Sequence, residues 1–479
     1  MAYTRYPNGW QEESARTRGQ RLGTTRLNAA PATPAAGRGA DPGRAADGPA
    51  RRGSAAGVLR EKLPVSVIVF LSAVLVPLTM SIGGLALTPA RIVMILLILP
   101  VLYRYVTGAA GRARAEDILL FLYAAWLSLA MLVYGGFGQI EFIGITVIET
   151  LFPFLLARCF IRTEAQYNAL LQMMFVAICV LMVGAAIESV TRVRIFNRLF
   201  DIVGSTYPTD PSYEKRFGLT RAHTVFQHPI IYGVAMAVFF APLFYRPTGD
   251  GKIGGIFKTF PVVMATFFSL STGAWLALVI QGGLMVWDKI FNVIKARWTI
   301  FLWLVVISYV VIDLLSDRTP FEVFISYATL NQSTAYWRVL IFVLGMDVVW
   351  ANPVFGIGLA DWPRPSWMHS ASVDNFWLLQ AMRYGILGFL FSALMWLVLL
   401  WKLARIPFAN ERLRLQRNAF VYAFSAIAVS LCTVHVWGTA SYLIMFMLGS
   451  ASWMHDAADD AAPSGKDDPA ARRRGARAR

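Results

Sequence analysis

Charge is scarce in this chain. Asp, Glu, Lys and Arg make up only 15% of its 479 residues and hydrophobic residues 57%, for a mean hydropathy of +0.53. Soluble domains carry about 25% charged residues, so an ordinary soluble globular protein is excluded. Cysteine is nearly absent: Cys159, Cys179 and Cys432 each sit inside an apolar run, which suits buried packing rather than a disulfide framework or a metal site. The five histidines form no metal-spaced set with cysteine. There is no phosphate-cradling Gly-Lys loop, no Gly-x-Ser-x-Gly elbow and no dinucleotide fingerprint. Bound ATP is therefore not expected as an energy source, no metal or cofactor is expected, and reaction energy has to arrive in the substrate. A secretory signal is also unsupported, because the first apolar run begins only at Pro64 and others follow it.

What the chain has instead is repeated apolar runs near the length of a membrane span. The expected fold is all-α, a polytopic transmembrane helical bundle of about 12 spans. The runs fall at 65–80, 85–105, 117–134, 139–161, 166–187, 224–245, 255–270, 273–291, 298–315, 374–401, 417–434 and 437–454. The two spans meeting at Ser271-Thr272-Gly273 have almost no turn between them. Residues 1–63, rich in Arg, Ala, Gly, Pro and Ser, read as a disordered basic tail, and 455–479 as a second tail.

Charge placement orients these runs. Arg51, Arg52, Arg60 and Lys62 crowd the first span, Arg104, Arg112, Arg114, Arg158 and Arg162 follow on the same side, and the short connections at 81–84, 135–138, 271–272 and 435–436 hold no Lys or Arg. By the positive-inside rule both termini are cytoplasmic. The formal net charge of +16 then favours lipid headgroups and anionic lipid-linked ligands over nucleic acid.

The organisation expected is therefore five spans in 64–187, a basic outer loop at 188–223, spans six to nine in 224–315, a large outer loop at 316–373 and the last three spans in 374–454. The basic loop places Arg216 and Arg221 next to the following span, where they can meet a ligand at the membrane surface. The large loop lies between spans nine and ten and is partly helical. Its apolar middle, Tyr336 to Trp350, is short for a span and reads as a helix lying in the interface or over the bundle. Asn352-Pro353 and Gly356-x-Gly358 then break it.

For so apolar a chain, the stretch from Tyr336 to Gly388 is rich in charged, Gly and Pro positions, and function is expected to sit there. His369 is in a polar outer loop just before a span, with a near-neutral pKa suited to proton removal. Asp374 follows at the expected start of a helix, where it can cap that helix, orient His369 or act as the base itself. Arg338 offers fork-like donors to phosphate oxygens. Arg383 and Glu149 lie inside apolar runs, each at a cost of at least ~2.5 kcal/mol, and are expected to pair with each other or face a polar cavity. His228-Pro229 opens the sixth span, with His228 as a cap or a ligand contact.

Three local patterns resemble the O-antigen ligase and Wzy-type polysaccharide polymerase superfamily of bacterial inner membranes: RAHTVFQHPIIYG, SLSTGAWLALVI, and YWRVLIFVLGMDVVWANPVFGIGL followed by HSASVDNFWLLQAMRYGILGFL. The likeness covers about residues 140–400, and the last pattern is the most specific in order, spacing and position before a span. Thr272 stands where that family usually has Arg, and the family's His-Asn pair is split between His369 and Asp374-Asn375. The resemblance implies an inverting, metal-independent glycosyltransferase in the bacterial inner membrane with a periplasmic active site. Its donor would be an undecaprenyl-pyrophosphate-linked oligosaccharide bound by Arg216, Arg221 and Arg338, with His369 or Asp374 as base and His228, Arg383 and Glu149 in support. A glycan acceptor makes it a polymerase in exopolysaccharide, lipopolysaccharide or O-antigen biosynthesis, and a lipid A core acceptor makes it a ligase. The bilayer and other polysaccharide assembly and export proteins are the implied partners.

A multi-spanning transporter is the competing class, with Glu149, Glu188 and Arg383 as a path. It requires matched interrupted helices in two halves, and the chain has no such internal symmetry.

Overall fold

A computed structural model describes residues 62–82, 85–207, 215–247, 251–328, 332–368 and 370–461. The tails at 1–61 and 462–479, and the candidate base His369, lie outside the described residues. The protein is 73% helical, as an all-α bundle requires, and its only sheets among the described residues are two two-stranded hairpins.

Six helical stretches among the described residues are long and apolar enough to cross a membrane: Pro89–Val106, Ala115–Phe160, Glu164–Thr191, Arg297–Leu315, Ser333–Ala351 and Phe376–Arg405. This is the make-up of a multi-pass membrane protein. The expected count of 12 spans is not reached by this measure, because several apolar runs are cut short by turn chemistry. The first run yields only α1 (Val65–Val74) before a hairpin of β1 (Met80–Ile82) and β2 (Leu85–Leu87). Thr88 then caps α2 (Pro89–Val106), its hydroxyl accepting from Arg91 N at 3.2 Å with Pro89 in the first turn.

α3 (Ala115–Gly135) and α4 (Ile140–Phe160) are joined by a single 3-10 turn, and α5 (Glu164–Thr191) ends where Arg192 adopts a left-handed conformation. The basic loop after it is structured. It contains α6 (Ile195–Phe200) and a hairpin of β3 (Lys215–Arg216) and β4 (Leu219–Thr220), turned by Phe217 and Gly218, both at positive φ. The sixth run splits into α7 (Pro229–Ala237) and α8 (Phe240–Phe244). α9 (Gly251–Phe268) and α10 (Thr272–Ile290) are separate helices despite the near absence of a turn, since Leu270 at φ 47 reverses the chain. α11 (Arg297–Leu315) buries none of its residues.

The large loop departs most from expectation. It holds α12 (Pro320–Tyr327), started by a Thr319–Glu322 capping box, and α13 (Gln332–Ala351). α13 is not a short interfacial piece: its 20 residues include a stretch long and apolar enough to cross a bilayer. α14 (Phe376–Arg405) is broken at Gly385, and α15 (Glu411–Ser430), α16 (Gly438–Ser450) and α17 (Ser452–Ala461) complete the fold. The second tail therefore begins as a helix.

α3 packs on α14, α4 on α16, α10 on α15 and α5 on α9, around one large apolar core. A second, smaller core lies between α13, the returning loop and the start of α14, with Ile341, Val348, Ile357, Trp362, Leu378 and Met382. Of the cysteines, Cys159 is buried and the other two half-buried, and all three are free.

One polar network joins α3 and α4. Asp117 and Arg158 are 3.3 Å apart with side-chain exposures of 0% and 1%, and Arg158 also donates to the carbonyls of Ala110 and Arg112. Asp456 of α17 closes it through Arg114 and Arg162, each at 2.9 Å. Removing one member leaves a buried charge unpaired, so Arg158→Leu is expected to destabilise the fold by about 3–5 kcal/mol. Thermal unfolding in detergent checks this, and an unchanged midpoint contradicts it.

Candidate functional site

Four connections converge on a cavity of 550 Å³: the β3–β4 hairpin and its exit, the α9–α10 turn, the segment entering α14 and the α15–α16 loop. The N-terminal part of α13 completes the wall. Arg216, Arg221, His228, Arg338, Asp374 and Arg383 all line it, as do Ser271, Thr272, Ser372, His435 and Trp437. Every described residue proposed from sequence for the site is in this one cavity, with the single exception of Glu149.

Local chemistry explains each position. The hairpin turn presents Arg216, whose Nη1 donates to Leu270 O at 2.9 Å, and Arg221 Nε donates to Ser269 O at 3.4 Å. Both carbonyls lie just past the C-terminus of α9, the negative end of its dipole, so the tight turn serves as an anchor for two cations. Thr272, a threonine where the resembled family usually has Arg, lines the cavity beside them. His228 caps α7, its Nδ1 accepting from Ile230 N at 3.1 Å, while its ring faces Trp437 at 5.8 Å between centroids. It is thus both a cap and a cavity residue.

Asp374 does not cap α14. Asn375 does, its Oδ1 accepting from Leu378 N at 3.0 Å. That leaves the Asp374 carboxylate on the cavity wall, taking a hydrogen bond from Ser372 Oγ at 2.9 Å. Arg338 enters from α13 with 7% of its surface exposed. Its Nε and Nη1 are buried and have no hydrogen-bond partner. A buried guanidinium without partners is costly, and an anionic ligand is the natural remedy.

Arg383 is held by the α14 break. Its own carbonyl accepts from Gly358 N at 3.0 Å and the preceding Met382 carbonyl from Ile357 N at 2.8 Å, so the Gly356-x-Gly358 segment lies along the backbone that carries it. The expected Arg383–Glu149 pair is not formed. Glu149 instead accepts from Arg91 Nε at 2.7 Å and from the Tyr442 hydroxyl. Arg91 on α2 offered an equally placed cation two helices earlier, and α2 packs closely on α4. Glu149 lines a smaller chamber of 220 Å³, which shares Arg383, His435 and Trp437 with the main cavity.

His435 and Trp437 were not foreseen. His435 sits in the 435–436 connection, notable in sequence only for its lack of Lys and Arg, and Trp437 opens the last expected span; the His-x-Trp-Gly string ending at Gly438 (φ 54) was the available signal. His435 stacks between Phe376 (6.1 Å, 17°) and Trp437 (5.5 Å, 23°).

The imidazoles here are held neutral. Burial, with Arg221 adding to it against a weaker pull from Asp374, lowers the His228 pKa to about 4. Burial and then Arg383 lower that of His435 to about 4, and burial followed by Arg194 does the same for His223. Because the unfolded chain binds protons that the folded one refuses, this stability is complete above about pH 6.5 and lost as pH falls toward 4. Melting temperature is therefore expected to drop over that window, and His228→Gln and His435→Gln should flatten the drop. An equal drop in the double variant contradicts the assignment.

Against the second core lies an apolar groove of 310 Å³ between α12, α13, α14 and the end of α15, lined by Phe321, Phe342, Met346, Trp377 and Phe389 among others. No family model matches the chain, and no curated protein matches its sequence. The geometry defines a helical membrane protein with a cationic cavity: four arginines against one carboxylate, and two neutral imidazoles.

Proposed function

We propose that the protein is a membrane glycosyltransferase of the O-antigen polymerase type. It takes its donor as a polyprenyl-pyrophosphate-linked glycan at the periplasmic face of the bacterial inner membrane. The observation that carries this reading is the meeting of Arg216, Arg221, Arg338 and Arg383 on one cavity, with Asp374 the sole acidic residue among the described residues that line it. Such a wall suits a pyrophosphate, whose oxygens match guanidinium forks. The apolar groove between α12, α13 and α14 has the chemistry for the start of a lipid tail. The connections at 271–272 and 435–436 hold no Lys or Arg and contribute Ser271, Thr272 and His435 to the cavity, which supports the periplasmic placement.

In this mechanism the arginines hold the pyrophosphate and stabilise the charge that develops on it as the anomeric C–O bond breaks. A hydroxyl of the acceptor glycan attacks from the opposite face, and a proton acceptor on the cavity wall receives its proton. The resemblance assigns that role to His369 or Asp374. Arg338→Ala and His369→Ala are each expected to abolish polymer while leaving membrane levels intact. Purified protein given only a lipid-linked repeat unit extends it if a polymerase; a requirement for lipid A core identifies a ligase. Normal long-chain product from both variants ends the assignment.

A further inference from the structure

The smaller chamber is not needed to bind a pyrophosphate, and its chemistry differs from that of the main cavity. Glu149, its carboxylate, is already engaged by Arg91 and Tyr442. Gln380 takes a hydrogen bond from the Tyr123 hydroxyl at 2.6 Å. The remaining wall offers neutral hydroxyls such as Thr146 and Ser441 beside the aromatic faces of Trp396 and Trp437. Neutral hydrogen-bonding groups interleaved with aromatic faces suit a hydroxyl-rich ring, whereas a lipid tail finds a purely apolar wall in the groove beyond α13.

The two spaces touch at Arg383, His435 and Trp437, which line both. A molecule in the chamber therefore meets one in the main cavity across His435. This imidazole is fixed in a stack between Phe376 and Trp437, and its Nδ1 is buried with no hydrogen-bond partner. A fixed ring with an unsatisfied nitrogen at the junction of two cavities is placed for a ligand hydrogen bond.

We propose that the chamber seats the second substrate, a hydroxyl-bearing carbohydrate, and that His435 accepts the proton of its attacking hydroxyl. This rests on the glycosyltransferase reading above. In the step, the hydroxyl oxygen bonds to the anomeric carbon, the C–O bond to pyrophosphate breaks with its electron pair on the phosphate oxygen, and the hydroxyl proton passes to the imidazole. Burial and Arg383 keep His435 unprotonated, so its lone pair is available at neutral pH. A bound pyrophosphate offsets Arg383 and raises the proton affinity of the ring, which ties the base to the presence of the donor.

The test uses the full chain in lipid nanodiscs, with farnesyl pyrophosphate as the binding probe and lipid-linked oligosaccharide extracted from the producing cells as substrate. His435→Gln is expected to bind farnesyl pyrophosphate within twofold of wild type but to turn over about 100-fold more slowly, with partial rescue of His435→Ala by added imidazole. Thr146→Phe, which narrows the chamber, is expected to raise the acceptor KM at least tenfold with donor binding unchanged. Should His435→Gln lower the melting temperature, His435→Asn takes its place. Turnover and acceptor KM within twofold of wild type in both variants overturn the chamber proposal and leave the donor site standing. Loss of activity in His369→Ala or Asp374→Asn with full activity in His435→Gln assigns the proton to those residues instead. Failure of the wild-type protein to bind farnesyl pyrophosphate sinks the underlying reading.

Discussion

Arg338→Leu is expected to lose pyrophosphate binding and lower turnover by about 10²–10³-fold, while leaving the protein as stable as wild type or more so. The two halves of this result have one cause. The guanidinium is 7% exposed, and its Nε and Nη1 have no partner. Each buried, unsatisfied donor costs about 1–3 kcal/mol in the empty protein, so an apolar replacement of similar volume removes a penalty from the fold. The same two nitrogens are what a phosphate would satisfy, so the ligand loses most. Arg338→Lys is expected to recover little, because an ammonium is a point charge without the planar fork. Thermal unfolding with and without farnesyl pyrophosphate checks all of this: the ligand should raise the midpoint of wild type and not that of the variant. A Leu variant that unfolds easily yet still binds would mean that Arg338 holds the helices together rather than a ligand.

Gly385→Ala is expected to damage both fold and site. Gly385 has φ 72, and a Cβ there would lie 2.0 Å from the carbonyl oxygen of Val354 and 2.8 Å from that of Pro353. Neither neighbour can yield, since both are backbone and Ile386 N donates to Pro353 O at 2.8 Å. A left-handed L-residue costs roughly 1–2 kcal/mol and overpacking about 1–3 kcal/mol, which together give about 2–5 kcal/mol of destabilisation. Gly356, at φ 69 with a Cβ position 2.4 Å from Met382 O, is the matching half of the same contact and should behave alike. Because Arg338, Asp374 and Arg383 all ride on α13, the returning loop and the broken α14, the surviving protein should also bind pyrophosphate weakly. A wild-type melting temperature in Gly385→Ala would show that the break at this position is dispensable.

Much of the candidate site was legible because membranes make polar residues expensive. Arg338, Arg383 and Asp374 stand out in an apolar sequence for that reason, and all three line one cavity with Arg216 and Arg221. Partnership was not legible. Glu149 could be matched with any cation in another span, and only the packing of α2 on α4 selects Arg91 over Arg383. Capping was misplaced by one residue: both Asp374 and Asn375 are good N-caps, and the backbone chose Asn375. His435 escaped notice because a single histidine in a short connection carries no pattern.

Composition and hydropathy alone determined that this is a helical, multi-pass kind of chain and that its chemistry lies in the connections, since a hydrocarbon environment admits only self-satisfied helices and penalises stray charge. Tertiary structure decided which helices are long, where α14 breaks and which polar residues share a cavity. The physical reason is that apolar runs report burial but not direction. The backbone oxygens of Leu270 and Ser269, invisible to any side-chain pattern, are what hold Arg216 and Arg221.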